Sequence, residues 1–397
     1  MKHSKPGFLI AASLFFLIAL FISACHSDKQ SMAQAVIDSI SLRLVPDTRE
    51  GFCSISAGFT KDGILVLKGE TSSAQAAKDI TAALRSSGFS ISDSITFLPD
   101  TLKTKEFRGL VTLSVINLRK LPEHSSELVS QAILGTPVLI LKSKGSWILI
   151  QTPDKYIAWT ERSSVVALST AGLNQWKRSN RVVYLENSGW IYETPDKNAV
   201  ICDLVAGCIV VKKSEANAYA LVVLPDGREG YIESKSLADF NSMNNELIAT
   251  GDNIVKTASK YMGLPYLWGG TSSKGVDCSG FVRSVYLMNG IIVTRDASLQ
   301  ALHGRTIDIS RGFDNLEKGD LLFFGSKGDT GPKVTHVAIS LGNSRFIHAS
   351  SRVMINSLDS TRSDFSGFRR RSLLSAKRIL GTDYENGIVP LLKHEWY

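Results

Sequence analysis

Tyr266-Leu267-Trp268-Gly269-Gly270 followed by Asp277-Cys278-Ser279-Gly280-Phe281 decides how the last part of this 397-residue chain is organised. Phe281, Val282, Val285 and Met288 recur at three- and four-residue spacing and stop at Asn289-Gly290, a helical period with a glycine terminator. Cys278 therefore opens a helix. Unpaired N–H groups and the positive end of the helix dipole favour a thiolate there, and the expectation is a thiol pKa lowered toward neutrality. The alternative for Cys278 alone is a small buried side chain that packs as a hydrophobe.

Two histidines favour the reactive reading. Val334-Thr335-His336-Val337-Ala338-Ile339-Ser340-Leu341 and Arg345-Phe346-Ile347-His348-Ala349-Ser350 read as strands joined through Gly342-Asn343-Ser344. A three-residue loop over Leu341 to Asn343 would set His336 directly across from His348, whereas a strict two-residue turn would send them to opposite faces. In the first register His336 can accept the thiol proton while His348 holds its other ring nitrogen. No second cysteine lies close to Cys278 and no short-spaced ligand pair accompanies it, so zinc is the weaker reading.

These motifs, together with Arg295-Asp296 and Gly319-Asp320-Leu321, resemble the NlpC-type cell-wall peptidases over roughly residues 250 to 397. The resemblance implies a papain-like α+β domain with a Cys278, His336, His348 triad and no metal or organic cofactor. It also implies action on peptidoglycan stem peptides. Members with two SH3-like modules ahead of the catalytic domain cut between γ-D-glutamate and the diamino acid. By the same resemblance, Tyr266 lies beside the cysteine, Asp277 and Ser279 contact the substrate, and Asp296 is a partner for its amino group. Some relatives carry a serine directly after that aspartate, and this chain has Ala297. An acyltransferase on the same fold, or a wall-binding module with an inactive site, is the alternative from another functional class.

The remaining sequence reads as a multidomain α+β chain. Its composition, 44% hydrophobic and 21% charged, is that of ordinary globular domains. Lys2 and Lys5, the apolar run Phe8 to Ile22 and Ile22-Ser23-Ala24-Cys25 resemble a lipoprotein signal. Residues 1–24 would then be removed and Cys25 lipidated, tying the protein to a membrane of the bacterial envelope, on a periplasmic or outer-membrane face. The run is short for a transmembrane anchor. Removing Lys2 and Lys5 lowers the formal charge from +8 to +6. No long basic run with interleaved aromatics points to nucleic acid, and Arg369-Arg370-Arg371 reads as a solvated face. Cys202 and Cys208 form the obvious local pair among the remaining cysteines, and an oxidising compartment would permit a disulfide between them.

After a tether, 25–32, residues 33–105 read as a small α/β module: helix over Ala33 to Leu44, strand Ile64 to Lys68, helix Ser73 to Leu84 and strand Ile91 to Leu98. Short strands spaced by turns over 106–170 suggest a small barrel. Asn117-Leu118-Arg119, Gly135-Thr136-Pro137-Val138 and Trp147 through Trp159 resemble a bacterial SH3-like domain. Residues 171–248 repeat the theme weakly, with Pro225-Asp226-Gly227 echoing Pro153-Asp154-Lys155, and 249–397 form the papain-like domain. In related two-module peptidases the first SH3-like domain helps to read a free amino end. Glu127 and Tyr156 match that role, which implies a stem peptide of the form L-Ala-γ-D-Glu-diamino acid.

Overall fold

The computed structural model describes residues 28–100, 106–244, 249–329, 331–382, 384 and 387–397. The signal-like segment and Cys25 lie outside the described residues. Among the described residues no helix is long and apolar enough to cross a membrane.

The described residues form two compact units, one within 1–103 and one within 104–397. In the first, a helix over 28–44 and the helix Ala74–Ser86 pack on a three-stranded sheet. Ser73 caps the second helix by accepting the Ala76 N–H at 3.1 Å. Its buried face, Ala76, Ala77, Ile80 and Leu84, follows the helical period. The sheet contains a strand absent from the sequence reading, Cys53–Phe59, antiparallel to Leu65–Thr71, which in turn runs parallel to Ile91–Phe97. Small residues disguise that strand: only Ile55 and Ala57 of Cys-Ser-Ile-Ser-Ala-Gly-Phe are buried apolar residues.

The second unit holds two barrels and an α+β domain. The first barrel comprises Arg108–Val111, Val115–Arg119, Leu128–Ile133, Pro137–Lys144, Trp147–Gln151, Ile157–Glu161 and Val165–Leu168. The second comprises Arg181–Tyr184, Gly189–Tyr192, Val200–Leu204, Ile209–Ala216, Tyr219–Val223, Glu229–Glu233 and Leu237–Asp239. With the strands of each counted along the chain, both sheets have the same spatial order: seventh, first, fourth, fifth, sixth, second, third. Both also place a 3₁₀ turn, Arg162–Ser164 or Ser234–Ser236, before the last strand. The duplication that is faint in sequence is complete in topology. The helix Thr170–Arg178 connects the barrels, and they abut closely: a Cβ on Gly135 would stand 2.2 Å from the Ile209 carbonyl oxygen.

The Cys202 and Cys208 thiols are both free, so the disulfide that the sequence left open is not formed. Each is turned to a backbone carbonyl instead, Cys202 to Asp203 at 3.1 Å and Cys208 to Ser114 at 3.7 Å.

In the α+β domain a six-stranded antiparallel sheet carries Arg305–Ile307, Leu373–Arg378, Leu321–Gly328, Gly331–Gly342, Arg345–Ala349 and Val353–Ser357 in that spatial order. The helix Cys278–Leu287 lies against it, with Phe281, Val282 and Val285 packed among Leu321, Phe323, Val337 and Ile347. This burial of the apolar stripe fixes the helix N-terminus against the two histidine strands.

Candidate active site

Asp277 caps the helix of Cys278, accepting the Gly280 N–H at 2.7 Å. Gly280 cannot carry a side chain, since its Cβ would stand 2.0 Å from the Gly270 carbonyl oxygen. The glycine pair of Tyr-Leu-Trp-Gly-Gly and the glycine after the cysteine thus share one close backbone crossing. Gly269, at φ +77°, gives its N–H to Asp277 at 3.0 Å.

The Asp277 carboxylate is saturated. It receives Gly269, Gly280 and the Ser279 hydroxyl, and Arg295 grips it at 3.1 and 2.5 Å. Arg295 also donates to Ser279 at 2.9 Å and to Ser130 of the first barrel at 3.1 Å. Asp277 and Ser279, expected as substrate contacts, are buried inside this network with no lone pair of the carboxylate left over. Together they brace the helix start that carries the cysteine.

The hairpin also departs from expectation, in an instructive way. Asn343 and Ser344, both at positive φ, make a two-residue turn between Gly342 and Arg345. Such a turn would put the histidines on opposite faces. Leu341 is an extra residue between the pairs Ser340/Phe346 and Gly342/Arg345, however, and this bulge restores the parity. His336 and His348 then share a face as diagonal rather than direct neighbours, with His336 Nε2 2.8 Å from His348 Nδ1. A third member, absent from the sequence reading, continues the diagonal: His348 Nε2 lies 2.9 Å from Asn356 Oδ1 on the next strand.

The hydrogen-bond order fixes the tautomers. Asn356 donates its Nδ2 to the Asp364 carbonyl at 3.2 Å, so its Oδ1 is the acceptor for His348. His348 is then protonated on Nε2 and receives the His336 Nε2–H at Nδ1. The lone pair of neutral His336 is left on Nδ1.

Burial, then the Arg369 cation and His348, push the His336 imidazole down to about 2. Burial pushes His348 down to about 4 against the Asn356 hydrogen bond. Burial also pushes the Cys278 thiol up to about 11, with the Asp277 charge adding to the rise. The Val337 and Ser279 N–H groups and Arg295 act the other way without overcoming desolvation. Desolvation thus favours the neutral thiol over the thiolate expected at a helix start, and the neutral imidazole over its cation. Burial and the neighbouring Cys278 and Asp277 push the Tyr266 phenol up to about 12, so it remains a donor.

The first barrel closes one side. Its strand Leu128–Ile133 lies along Gly269 to Ser272: Gln131 accepts the Thr271 N–H at 3.0 Å, and a Cβ on Gly269 would stand 2.4 Å from the Leu128 carbonyl oxygen. Glu127 receives the Trp268 indole N–H at 3.0 Å and lies 3.7 Å from Lys120. Asp296 is 3.8 Å from Arg295, and Tyr156, buried in the first barrel, lies within electrostatic reach of the same guanidinium. Tyr156 and Asp296, from two domains, thus both lie near Arg295, while Glu127 is held by Trp268. Behind the cysteine, the buried Arg283 pairs with Asp154 of the barrel at 2.6 Å. Asp154 was legible only as part of a turn, and Trp268, Gln131 and Arg283 only as motif neighbours.

Arg369 corrects another reading: it is half-buried at the site rather than on a solvated face, and its charge is felt by Cys278, Tyr266 and both histidines. Among the described residues, no group of three or more histidine, cysteine or acidic side chains could hold a metal ion.

A cysteine at a helix start, packed on an antiparallel sheet that presents a histidine relay, defines a papain-like cysteine peptidase. Comparison with known proteins places it further. The profile of the NlpC/P60 family matches residues 263–369, and that of the bacterial dipeptidyl-peptidase Sh3 domain matches 118–165. Dipeptidyl-peptidase 6 of Lysinibacillus sphaericus is 31% identical over 63% of this chain and 92% of its own. A Gamma-D-glutamyl-L-lysine dipeptidyl-peptidase of Bacillus cereus is 28% identical, over 57% of this chain and 68% of its own. The crystal structure of an NlpC/P60 family protein from Bacillus cereus shares the fold at TM-score 0.60 and 22% identity, covering 69% of this chain and 99% of that one. The chain belongs to the NlpC/P60 family.

Proposed function

We propose that this protein hydrolyses the γ-D-glutamyl–diamino acid bond of peptidoglycan stem peptides that present a free N-terminal L-alanine. The observation that carries the reading is the tautomer-fixed relay from Asn356 through His348 to His336, whose chain neighbour Val337 turns its N–H to the helix-start cysteine. Similarity to proteins named for γ-D-glutamyl dipeptidyl-peptidase activity supports the substrate class.

In this mechanism the Cys278 thiol attacks the γ-glutamyl carbonyl as His336 Nδ1 takes its proton, so thiolate forms only as the S–C bond forms. The oxyanion is received by the Cys278 N–H, which has no acceptor within its own helix. His336 returns the proton to the departing amine as the C–N bond breaks, and water, activated by the same imidazole, releases the glutamyl product. Glu127, Tyr156 and Asp296 select the free ammonium end: an acylated amine offers these carboxylates no cation to receive.

The lipoprotein-like segment ending at Cys25 supports a location on a bacterial envelope membrane, tethered by lipid on that cysteine. The test of function is mass spectrometry of L-Ala-γ-D-Glu-diaminopimelate after incubation with protein lacking residues 1–24. Release of the free diamino acid is expected. Blocking the alanine amine should lower kcat/KM by at least about 10-fold, and equal rates would remove the amine-selecting role.

A further inference from the structure

Five arginines of the domain 249–397 are buried or half-buried: Arg283, Arg295, Arg345, Arg369 and Arg378. Four have carboxylate partners, namely Asp154, Asp277, Asp364 and Asp320. Arg369 has none among the described residues. It extends from the short helix Gly367–Ser372, whose capping Ser366 accepts its N–H at 3.4 Å. The guanidinium carbon lies 5.6 Å from the ring of Phe324 and 5.3 Å from that of Phe368. Phe324 is buried and lies against His336, with ring centroids 5.8 Å apart, whereas Phe368 is 65% exposed. The cation is thus held between the base and solvent, on aromatic faces that position it without neutralising it.

A half-removed cation with no anion is a cost to the fold unless a ligand supplies the charge. The substrate proposed above carries one beside the scissile amide on either side: the α-carboxylate of the γ-D-glutamyl residue and the carboxylate of the diamino acid.

We propose that Arg369 is a specificity-determining residue that binds a carboxylate flanking the scissile amide, so that the enzyme distinguishes acid from amide at that position. This rests on the stem-peptide reading of the site. The guanidinium fork suits a carboxylate, and such a charged hydrogen-bond pair forms only with the acid. Pairing has a second consequence. Arg369 disfavours a proton on His336 and His348 in the empty site, and a bound carboxylate cancels that field as the imidazole must take the thiol proton. The correct substrate therefore assists its own proton transfer, and the amide would lose in kcat as well as in KM.

The experiment compares three peptides with the wild type, Arg369→Gln and Arg369→Lys: L-Ala-γ-D-Glu-diaminopimelate, the same with the glutamyl α-carboxyl amidated, and the same with the diaminopimelate α-carboxyl amidated. For the wild type, one amidation should lower kcat/KM by about 10- to 100-fold, and which one does so identifies the carboxylate. In Arg369→Gln the acid and that amide should become equal within about 3-fold, and Arg369→Lys should keep part of the preference. Preference retained in Arg369→Gln, or wild-type indifference to both amidations, would overturn the assignment. Equal losses on all three peptides in Arg369→Gln would also overturn it, leaving Arg369 a stabiliser of the thiolate. If the wild type cleaves none of the three, the peptidase reading itself fails, and this one with it.

Discussion

His336 Nε2 stands 2.8 Å from His348 Nδ1, two rings at 90° on adjacent strands, and the bulge at Leu341 is what brings them to one face. Because Asn356 fixes His348 as the Nε2–H tautomer, this contact determines which nitrogen of His336 bears the lone pair.

Asn356 is thus a positioning residue for the base. Asn356→Leu should lower kcat by about 10- to 100-fold with KM nearly unchanged, since it removes a hydrogen bond to a buried imidazole and frees the tautomer. Asn356→Asp keeps an acceptor and adds a charge near His348, so its acidic limb in the pH–rate profile should move to higher pH. A profile identical to that of the wild type would argue that Asn356 only packs.

The resting thiol gives a reactivity test. With Cys278 pushed up to about 11, its alkylation by iodoacetamide should be slow at pH 7 and rise about tenfold per pH unit through pH 9. Peptide mass spectrometry can follow residue 278 specifically. A rate that is already flat below pH 7 would mean that a thiolate–imidazolium pair is preformed.

The histidines also set a stability profile. Both have folded-state values below that of the unfolded imidazole, about 2 for His336 and about 4 for His348. Below about pH 6.5 the unfolded chain takes up protons that the native site refuses. Stability therefore rises with pH across the window from 4 to 6.5 and is lost as pH falls through it, on the order of 1 kcal/mol per pH unit per histidine. Urea unfolding of wild type and His336→Phe at pH 7 and 5 should show a shallower loss in the variant.

Asp154 and Arg283 bind the first barrel to the nucleophile helix through a buried pair. Asp154→Ala leaves the guanidinium buried without its anion and should destabilise the second unit by about 3–5 kcal/mol. The double variant Asp154→Leu, Arg283→Met should recover most of that loss in thermal unfolding. No recovery would mean that the pair is needed for the docking geometry itself.

Local signals explain what was legible in the sequence. The helix of Cys278 carries its period, its cap and its glycine terminator within a dozen residues, and the histidine strands are apolar runs broken by Gly342-Asn343-Ser344. Features that depend on register or on distant partners were not legible. Leu341 looks like any strand residue, and its bulge is visible only against the partner strand. Asn356 joins the relay because its strand pairs His348 with Met354, placing Asn356 one diagonal step along. Desolvation of Cys278 comes from residues spread over the whole domain, so the helix-dipole argument, sound locally, predicts the wrong direction for the thiol. Arg369, read as one of three solvated arginines, differs from Arg370 and Arg371 only in where its short helix aims it.

The most direct measurement is the hydrolysis of L-Ala-γ-D-Glu-diaminopimelate by wild type, Cys278→Ser and His336→Gln, with products identified by mass spectrometry. The account predicts free diaminopimelate from the wild type and a loss of at least about 1,000-fold in kcat for either variant with the fold intact. Cleavage by Cys278→Ser at the wild-type rate would contradict it.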